Sequence, residues 1–166
     1  MLQTERLHLR NLCPADADIL FAYRNDDRCS RYQRYEDISM AYLRQFIEDY
    51  AHSIWLSRQK EQHYAIVRSA DDRMIGDLSV FCTEQDRCFT LGITVAPPYQ
   101  RQGCAYELLQ AAVAQLRQRY PSDDIVALID PENRQSLSLF RKLGFVEECW
   151  AESIRSYVYT IFGSKE

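Results

Sequence analysis

The chain opens on a short period of two: over residues 5–12, Leu7, Leu9 and, less cleanly, Asn11 alternate with His8 and Arg10, as in a strand. Pro14 then suits the first turn of a helix through Asp16, Ile19, Leu20 and Tyr23. Ser39 is a candidate N-cap for a second helix, whose apolar positions Leu43, Phe46, Ile47, Tyr50, Ile54 and Trp55 recur at three- and four-residue spacing. The middle of the chain returns to period two. Tyr64, Ile66 and Arg68 precede a turn at Asp71-Asp72, and Leu78, Val80 and Cys82 follow it. Phe89, Leu91, Ile93 and Val95 alternate more strictly than any other stretch, so two or three antiparallel strands joined by hairpins fit this region. A helix from about Cys104 to Arg119 places Leu108, Leu109, Ala112, Val113 and Leu116 on one stripe, and Pro121 stops it. Ile125, Val126, Leu128 and Ile129 form a run expected of a strand buried on both faces, broken by Asp130-Pro131. A further helix from about Asn133 ends at Gly144, where glycine suits a left-handed C-cap. Phe145 and Val146 open another strand, and Tyr157 to Phe162 give the last. The order β-α-α-β-β-β-α-β-α-β-β predicts a mixed α/β or α+β sheet.

The 166 residues suit one domain, 1–166, with no internal repeat or linker. A hydrophobic fraction of 46% and an aromatic fraction of 12% exclude wholesale disorder. No window approaches 18 uninterrupted apolar residues, which argues against a helical membrane span. Charges in Met1-Leu2-Gln3-Thr4-Glu5-Arg6-Leu7 oppose a signal peptide, so the cytoplasm is the expected location. A net charge of −4 argues against general nucleic-acid binding and mildly favours cationic partners such as amines. Cys13, Cys29, Cys82, Cys88, Cys104 and Cys149 form no C-x-x-C pair, and His8, His52 and His63 show no metal-ligand spacing. Free thiols acting as small hydrophobes, with no metal, are expected.

The junction Val95-Ala96-Pro97-Pro98-Tyr99-Gln100-Arg101-Gln102-Gly103-Cys104-Ala105 carries chemistry. A strand ends, a proline loop follows, and a basic, glycine-containing turn enters an amphipathic helix. A helix N-terminus presents unpaired N–H groups and partial positive charge, which suits phosphate where the backbone can be approached. Gly103 and Ala105 keep that approach open, and Arg101 adds a charged donor. Taken alone, the same pattern also describes ordinary turn chemistry. It lacks the Gly-Lys-Ser/Thr of a Walker loop and the spacing of a dinucleotide fingerprint.

Gln100-Arg101-Gln102-Gly103-Cys104-Ala105 resembles the Q/R-x-x-G-x-G/A signature of the GNAT superfamily of acyl-CoA-dependent N-acetyltransferases. Asn133-Arg134-Gln135-Ser136-Leu137-Ser138-Leu139-Phe140-Arg141-Lys142-Leu143-Gly144-Phe145 resembles that superfamily's N-x-x-S/A-x-x-L-Y/F-x-K-x-G-F segment. Thr4-Glu5-Arg6-Leu7-His8-Leu9-Arg10 is similar to the opening of the branch holding ribosomal-protein N-terminal alanine and serine acetyltransferases. The resemblance implies a mixed, mostly antiparallel central sheet flanked by about four helices, with acetyl-CoA as co-substrate. It places the CoA pyrophosphate on the amides of Arg101, Gln102, Gly103, Cys104, Ala105 and Tyr106. Ile93 and Val95 would pair with the pantetheine arm in a gap beside their strand, with the Val95 N–H as oxyanion donor. Asn133 would bond the arm, act as helix N-cap, or both; Phe140 would pack on it or belong to the core. Lys142, with Arg134 and Arg141, is a candidate for the 3′-phosphate or an ordinary solvated charge.

The implied reaction is direct attack by an amine, which needs a base and uses no enzyme nucleophile, so Cys104 has no covalent role. Phe140 stands where many members carry a tyrosine acid, which leaves Ser136 as the acid candidate or an unassisted thiolate. Glu152 is the candidate base, with Asp77 and Glu84 as rivals; each also reads as a surface carboxylate. Tyr32, Tyr35 and Trp55 are candidates to line the acceptor pocket, with core packing favoured for Trp55. The acceptor is an amine, either a protein N-terminus or a small molecule. A CoA-binding sensor or scaffold without turnover is the alternative, and a purely structural domain a third. The resemblance fits a monomer or homodimer, and Tyr157-Val158-Tyr159 is a candidate pairing edge.

Overall fold

The protein is described by a computed structural model covering residues 1–35, 37–83 and 85–164. The strands are β1 (Leu7–Asn11), β2 (Glu61–Arg68), β3 (Arg73–Thr83), β4 (Cys88–Val95), β5 (Asp124–Ile129), β6 (Val146–Ala151) and β7 (Ser156–Ile161). The helices are α1 (Ala17–Arg24), α2 (Asp27–Ser30), α3 (Met40–Tyr50), α4 (Cys104–Arg119) and α5 (Arg134–Lys142). The strands form one sheet in the order β1-β2-β3-β4-β5-β7-β6. Every pairing is antiparallel except β4 with β5. That parallel pairing covers Cys88–Thr90 against Asp124–Val126 and then stops, although β4 runs on to Val95 and β5 to Ile129. The two strands therefore part in the middle of the sheet.

Each face of the sheet has its own core. On one, Phe89 and Leu91 of β4 and Ile125, Ala127 and Ile129 of β5 pack with Leu108, Leu109, Ala112 and Leu116 of α4 and Phe140 of α5. On the other, Ala65, Val67 and Met74 pack with Leu20 and Tyr23 of α1 and Leu43, Phe46 and Ile47 of α3. Among the described residues no helix is long and apolar enough to cross a membrane.

Three details depart from the sequence pattern. A single-turn helix, α2, is added where Asp26 accepts a hydrogen bond from Arg28 N. The α3 N-cap is Ser39 as expected, its Oγ accepting from Tyr42 N, but the helix stops at Tyr50 because Ser53 turns its N–H and hydroxyl onto the Tyr50 carbonyl. Ile54 is consequently exposed, while Trp55 leaves the helix and meets the Tyr64 ring edge-on at 5.5 Å. Strand β5 is not buried on both faces: Leu128 is 47% exposed, because α1 and α3 cover the β2–β3 part of that face and stop short of β5. Gly144 does take the left-handed conformation, φ +91°, that closes α5.

Candidate active site

The site is built where β4 leaves β5. The Ala96 amide donates to Ile75 O of β3 at 2.8 Å. Successive strand amides point to opposite edges, so the Val95 N–H faces the gap. The Val95 carbonyl faces the same way and accepts from Gln100 Nε2 at 2.8 Å and from the Cys29 thiol at 3.5 Å. These bonds hold the loop and α2 against the strand end. Burial pushes the Cys29 thiol up to about 11, so it stays a neutral donor.

A 3-10 turn at Pro97–Tyr99 reverses the chain, and two left-handed residues follow, Arg101 at φ +60° and Gly103 at φ +80°. Turns of this kind gather consecutive N–H groups into an anion-binding concavity. Gly103 is the N-cap of α4, and a side chain there would be strained whatever space it found. Among the described residues, no protein group accepts from the amides of Arg101, Gln102, Gly103, Cys104, Ala105 or Tyr106. Six free donors at the positive end of a 16-residue helix fit the phosphates of CoA.

The opposite wall is α5. Its N-cap, Asn133, accepts from Ser136 N at 3.1 Å, and Lys142 Nζ lies 4.5 Å from the centre of the Tyr106 ring across the cleft. The third wall is the segment 27–33. The cleft, open to solvent, has a volume of about 1180 Å³. That exceeds the roughly 300–1,000 Å³ of an ordinary small-molecule pocket and suits a long ligand.

Of the residues singled out from sequence, Ile93, Val95, Arg101, Gly103, Cys104, Ala105, Tyr106, Asn133, Ser136 and Lys142 line this cleft. Arg134 and Tyr32 do as well. Gln102 stands at its back, with its side chain on Pro98 O and its carbonyl accepting from Arg6. Phe140 is buried and meets Phe145 edge-to-face at 5.0 Å, below the lining. Arg141 turns away onto the Tyr159 hydroxyl and Glu147. Glu152 lies in the β6–β7 connection, exposed, with its carboxylate accepting from the Trp150 indole N–H at 2.5 Å. Trp55 is on the far side of α4, donating to Gln115, and is not an acceptor-pocket residue. Glu84 lies outside the described residues.

The acceptor side joins Tyr35 and Asp77, both singled out from sequence, to groups that the pattern did not reveal. Thr94 lines the cleft, and its hydroxyl lies 3.4 Å from that of Tyr35. Behind it, Asp77 is buried with both oxygens engaged, one by the Tyr23 hydroxyl and the other by Arg24 at 3.5 Å. Arg24 is held between the rings of Tyr35 and Phe46. Arg34 reaches Ser156 of β7, so the segment after α2 spans from β4 to β7 across the gap. No short motif announces contacts between residues this far apart in sequence. Tyr35 and Asp77 were legible as candidates; their partners, Thr94 on β4 and Tyr23 and Arg24 on α1, were not. Among the described residues no three His, Cys, Asp or Glu side chains gather to hold a metal ion.

Comparison with known proteins agrees with this geometry. Residues 6–146 match the family described as the acetyltransferase (GNAT) domain. The chain is 27% identical over 161 residues to the uncharacterized N-acetyltransferase YoaA of Bacillus subtilis, covering 96% of this chain and 88% of that one. A GNAT-family acetyltransferase from Bacillus anthracis superposes with a TM-score of 0.82 at 18% identity, over 97% of each chain. A ribosomal-protein-S5-alanine acetyltransferase from Vibrio fischeri superposes with a TM-score of 0.76 at 15% identity, over 98% of this chain and 96% of its own. At these identities the two structures share the fold. With the family match extending over most of its length, the protein belongs to the GNAT acetyltransferases, enzymes that transfer acetyl from acetyl-CoA to an amine.

Proposed function

We propose that the acceptor is the α-amine of a polypeptide N-terminus rather than a polyamine. The observation that carries this is the state of the carboxylates. Asp77 is committed to Tyr23 and Arg24, and Glu152 is exposed and bound to Trp150. Asp27 and Glu132, the carboxylates lining the cleft among the described residues, are solvent-exposed and face Arg28, Arg31, Arg101, Arg134 and Lys142 around the same rim. A polyamine would be recognised by clustered acids, and its amines, lysine-like with pKa about 10.4, need a strong base near neutral pH. An α-amine with pKa about 7.7–8.0 is partly neutral there and can lose its proton to water. The uncovered sheet face supports the same reading. Leu128, exposed on β5 beyond the point where β4 leaves it and opposite Val158 of β7, gives an extended chain an apolar surface beside the gap.

Acetyl-CoA supplies an acetyl thioester, whose thiol leaves readily. The amides from Arg101 to Tyr106 hold its pyrophosphate, and Ile93 and Val95 offer main-chain partners to the pantetheine arm. The Val95 N–H donates to the carbonyl oxygen as negative charge develops there. Asn133 bonds the arm while capping α5, Phe140 backs it from the core, and Lys142 meets the 3′-phosphate. Ser136 lines the cleft with a hydroxyl that, among the described residues, no other group engages, and it donates the proton to the departing sulfur.

A thiol-release assay tests the acceptor. The substrates are a short peptide with a free N-terminus, the same peptide N-acetylated but carrying a lysine, and spermidine. Turnover of the free peptide alone is expected. Spermidine turned over faster than the peptide would overturn the reading.

A further inference from the structure

Behind the anion loop, the start of the chain reaches into the first turn of α4. Thr4 Oγ1 donates to Glu107 Oε1 at 2.6 Å, and the Arg6 amide donates to the same oxygen at 2.9 Å. Arg6 Nε donates to Glu107 Oε2 at 2.6 Å, and Arg6 Nη1 donates to the Gln102 carbonyl at 3.0 Å. The second terminal nitrogen, Nη2, lies 3.3 Å from the point a Cβ on Gly103 would occupy. Neither Thr4, Arg6 nor Glu107 lines the cleft.

Two consequences follow. The Gln102 carbonyl is drawn backward by Arg6, between two left-handed residues, Arg101 and Gly103. Arg101 adopts that conformation without a glycine's freedom, so it is held there against a steric cost. A bond that fixes the carbonyl between them fixes the direction of the amides that face the cleft. The second consequence is electrostatic. Glu107 sets a carboxylate in the first turn of a helix whose N-terminus receives phosphates, and unpaired it would repel them. Burial raises the Glu107 carboxyl, but the bonds from Thr4 and Arg6 outweigh it and hold the group below its ordinary value, ionised and paired.

We propose that Thr4, Arg6 and Glu107 form a positioning clamp that sets the enzyme's affinity for the pyrophosphate of acetyl-CoA, acting from behind the loop without touching the ligand. This rests on the placement of CoA on the amides of Arg101 to Tyr106. It assigns to the Thr4-Glu5-Arg6 opening a role in cofactor affinity.

The test uses Arg6→Met and Thr4→Val with two acetyl donors, acetyl-CoA and S-acetylpantetheine, the second lacking the pyrophosphate. For Arg6→Met, kcat/KM with acetyl-CoA should fall about tenfold or more, the scale for losing a hydrogen bond to a charged group. The kcat at saturating acetyl-CoA, the KM for the amine, and kcat/KM with S-acetylpantetheine should stay at wild-type values. Thr4→Val should show the same split at smaller size, and Arg6→Lys should recover part of the loss. An equal loss with both donors would reduce the clamp to ordinary structural support and overturn the proposal, as would no loss with either. Failure of the wild type to prefer acetyl-CoA over S-acetylpantetheine would instead refute the pyrophosphate site itself.

Discussion

The two sides of the central gap are made of different material. On the α4 side, the wall is a turn whose main-chain amides, from Arg101 to Tyr106, no described protein group engages. On the acceptor side the wall is held by side-chain contacts between distant parts of the chain: Tyr35 against Thr94, Arg34 against Ser156, and, buried behind them, Tyr23 and Arg24 against Asp77. A site built from backbone depends on local conformation and tolerates change in most side chains around it. One built from side chains depends on each residue and on the long-range packing that brings them together. The first is suited to a co-substrate common to a whole family, and the second to an acceptor that differs between its members.

This contrast can be broken at several points. The largest effect belongs to Gly103→Val, which places a β-branched residue at φ +80° with its Cβ 3.3 Å from Arg6 Nη2. Calorimetric affinity for acetyl-CoA should fall by roughly a hundredfold or more, since both the loop and the helix start are displaced. Next is Ser136→Ala. The N-cap bond uses the backbone N–H of Ser136 and survives. The kcat should fall about tenfold, with KM for acetyl-CoA unchanged, at the low end for a general acid because a thiol leaves well unaided.

Smaller again is Tyr35→Phe. Losing the Thr94 contact should raise the amine KM by about fivefold, one ordinary hydrogen bond, while acetyl-CoA binding is untouched. A matching loss in acetyl-CoA affinity would show that the two sides are not separable. The smallest expected effect concerns stability. His63 is buried among Phe46, Tyr50 and Phe81, and burial lowers its pKa below 6.5 despite the Glu61 carboxylate at 2.8 Å. The unfolded chain therefore binds the proton more readily than the folded one. Its contribution is complete above about pH 6.5 and is lost as pH falls toward the folded-state pKa. Denaturant unfolding of His63→Phe between pH 7.5 and 5.5 should show a flatter acid limb than wild type.

The same contrast explains what could be read from sequence. The strict alternation from Phe89 to Val95 and the stripe from Leu108 to Leu116 locate β4 and α4, because both report local periodicity against one core. Gly103 marks the turn between them for the same local reason. The length of α3 misleads, since Ile54 and Trp55 continue the helical spacing past a stop made by Ser53. Leu128 misleads because an apolar run does not state which faces are covered. The clamp of Arg6 on Glu107 joins residues a hundred positions apart, and the opening motif gave no sign of its partner. Asp77 was visible as a carboxylate near the site, whereas its engagement by Tyr23 and Arg24 depends on how α1 packs across β3.

The central claim is that main-chain amides, rather than side-chain cations, hold the CoA phosphates. Backbone amide NMR during titration with acetyl-CoA tests it most directly. The account predicts that the largest downfield amide-proton shifts fall within Arg101 to Tyr106, and that they persist when Arg101, Arg134 and Lys142 are replaced one at a time. Shifts concentrated elsewhere, or binding abolished by removing one of those cations, would contradict it.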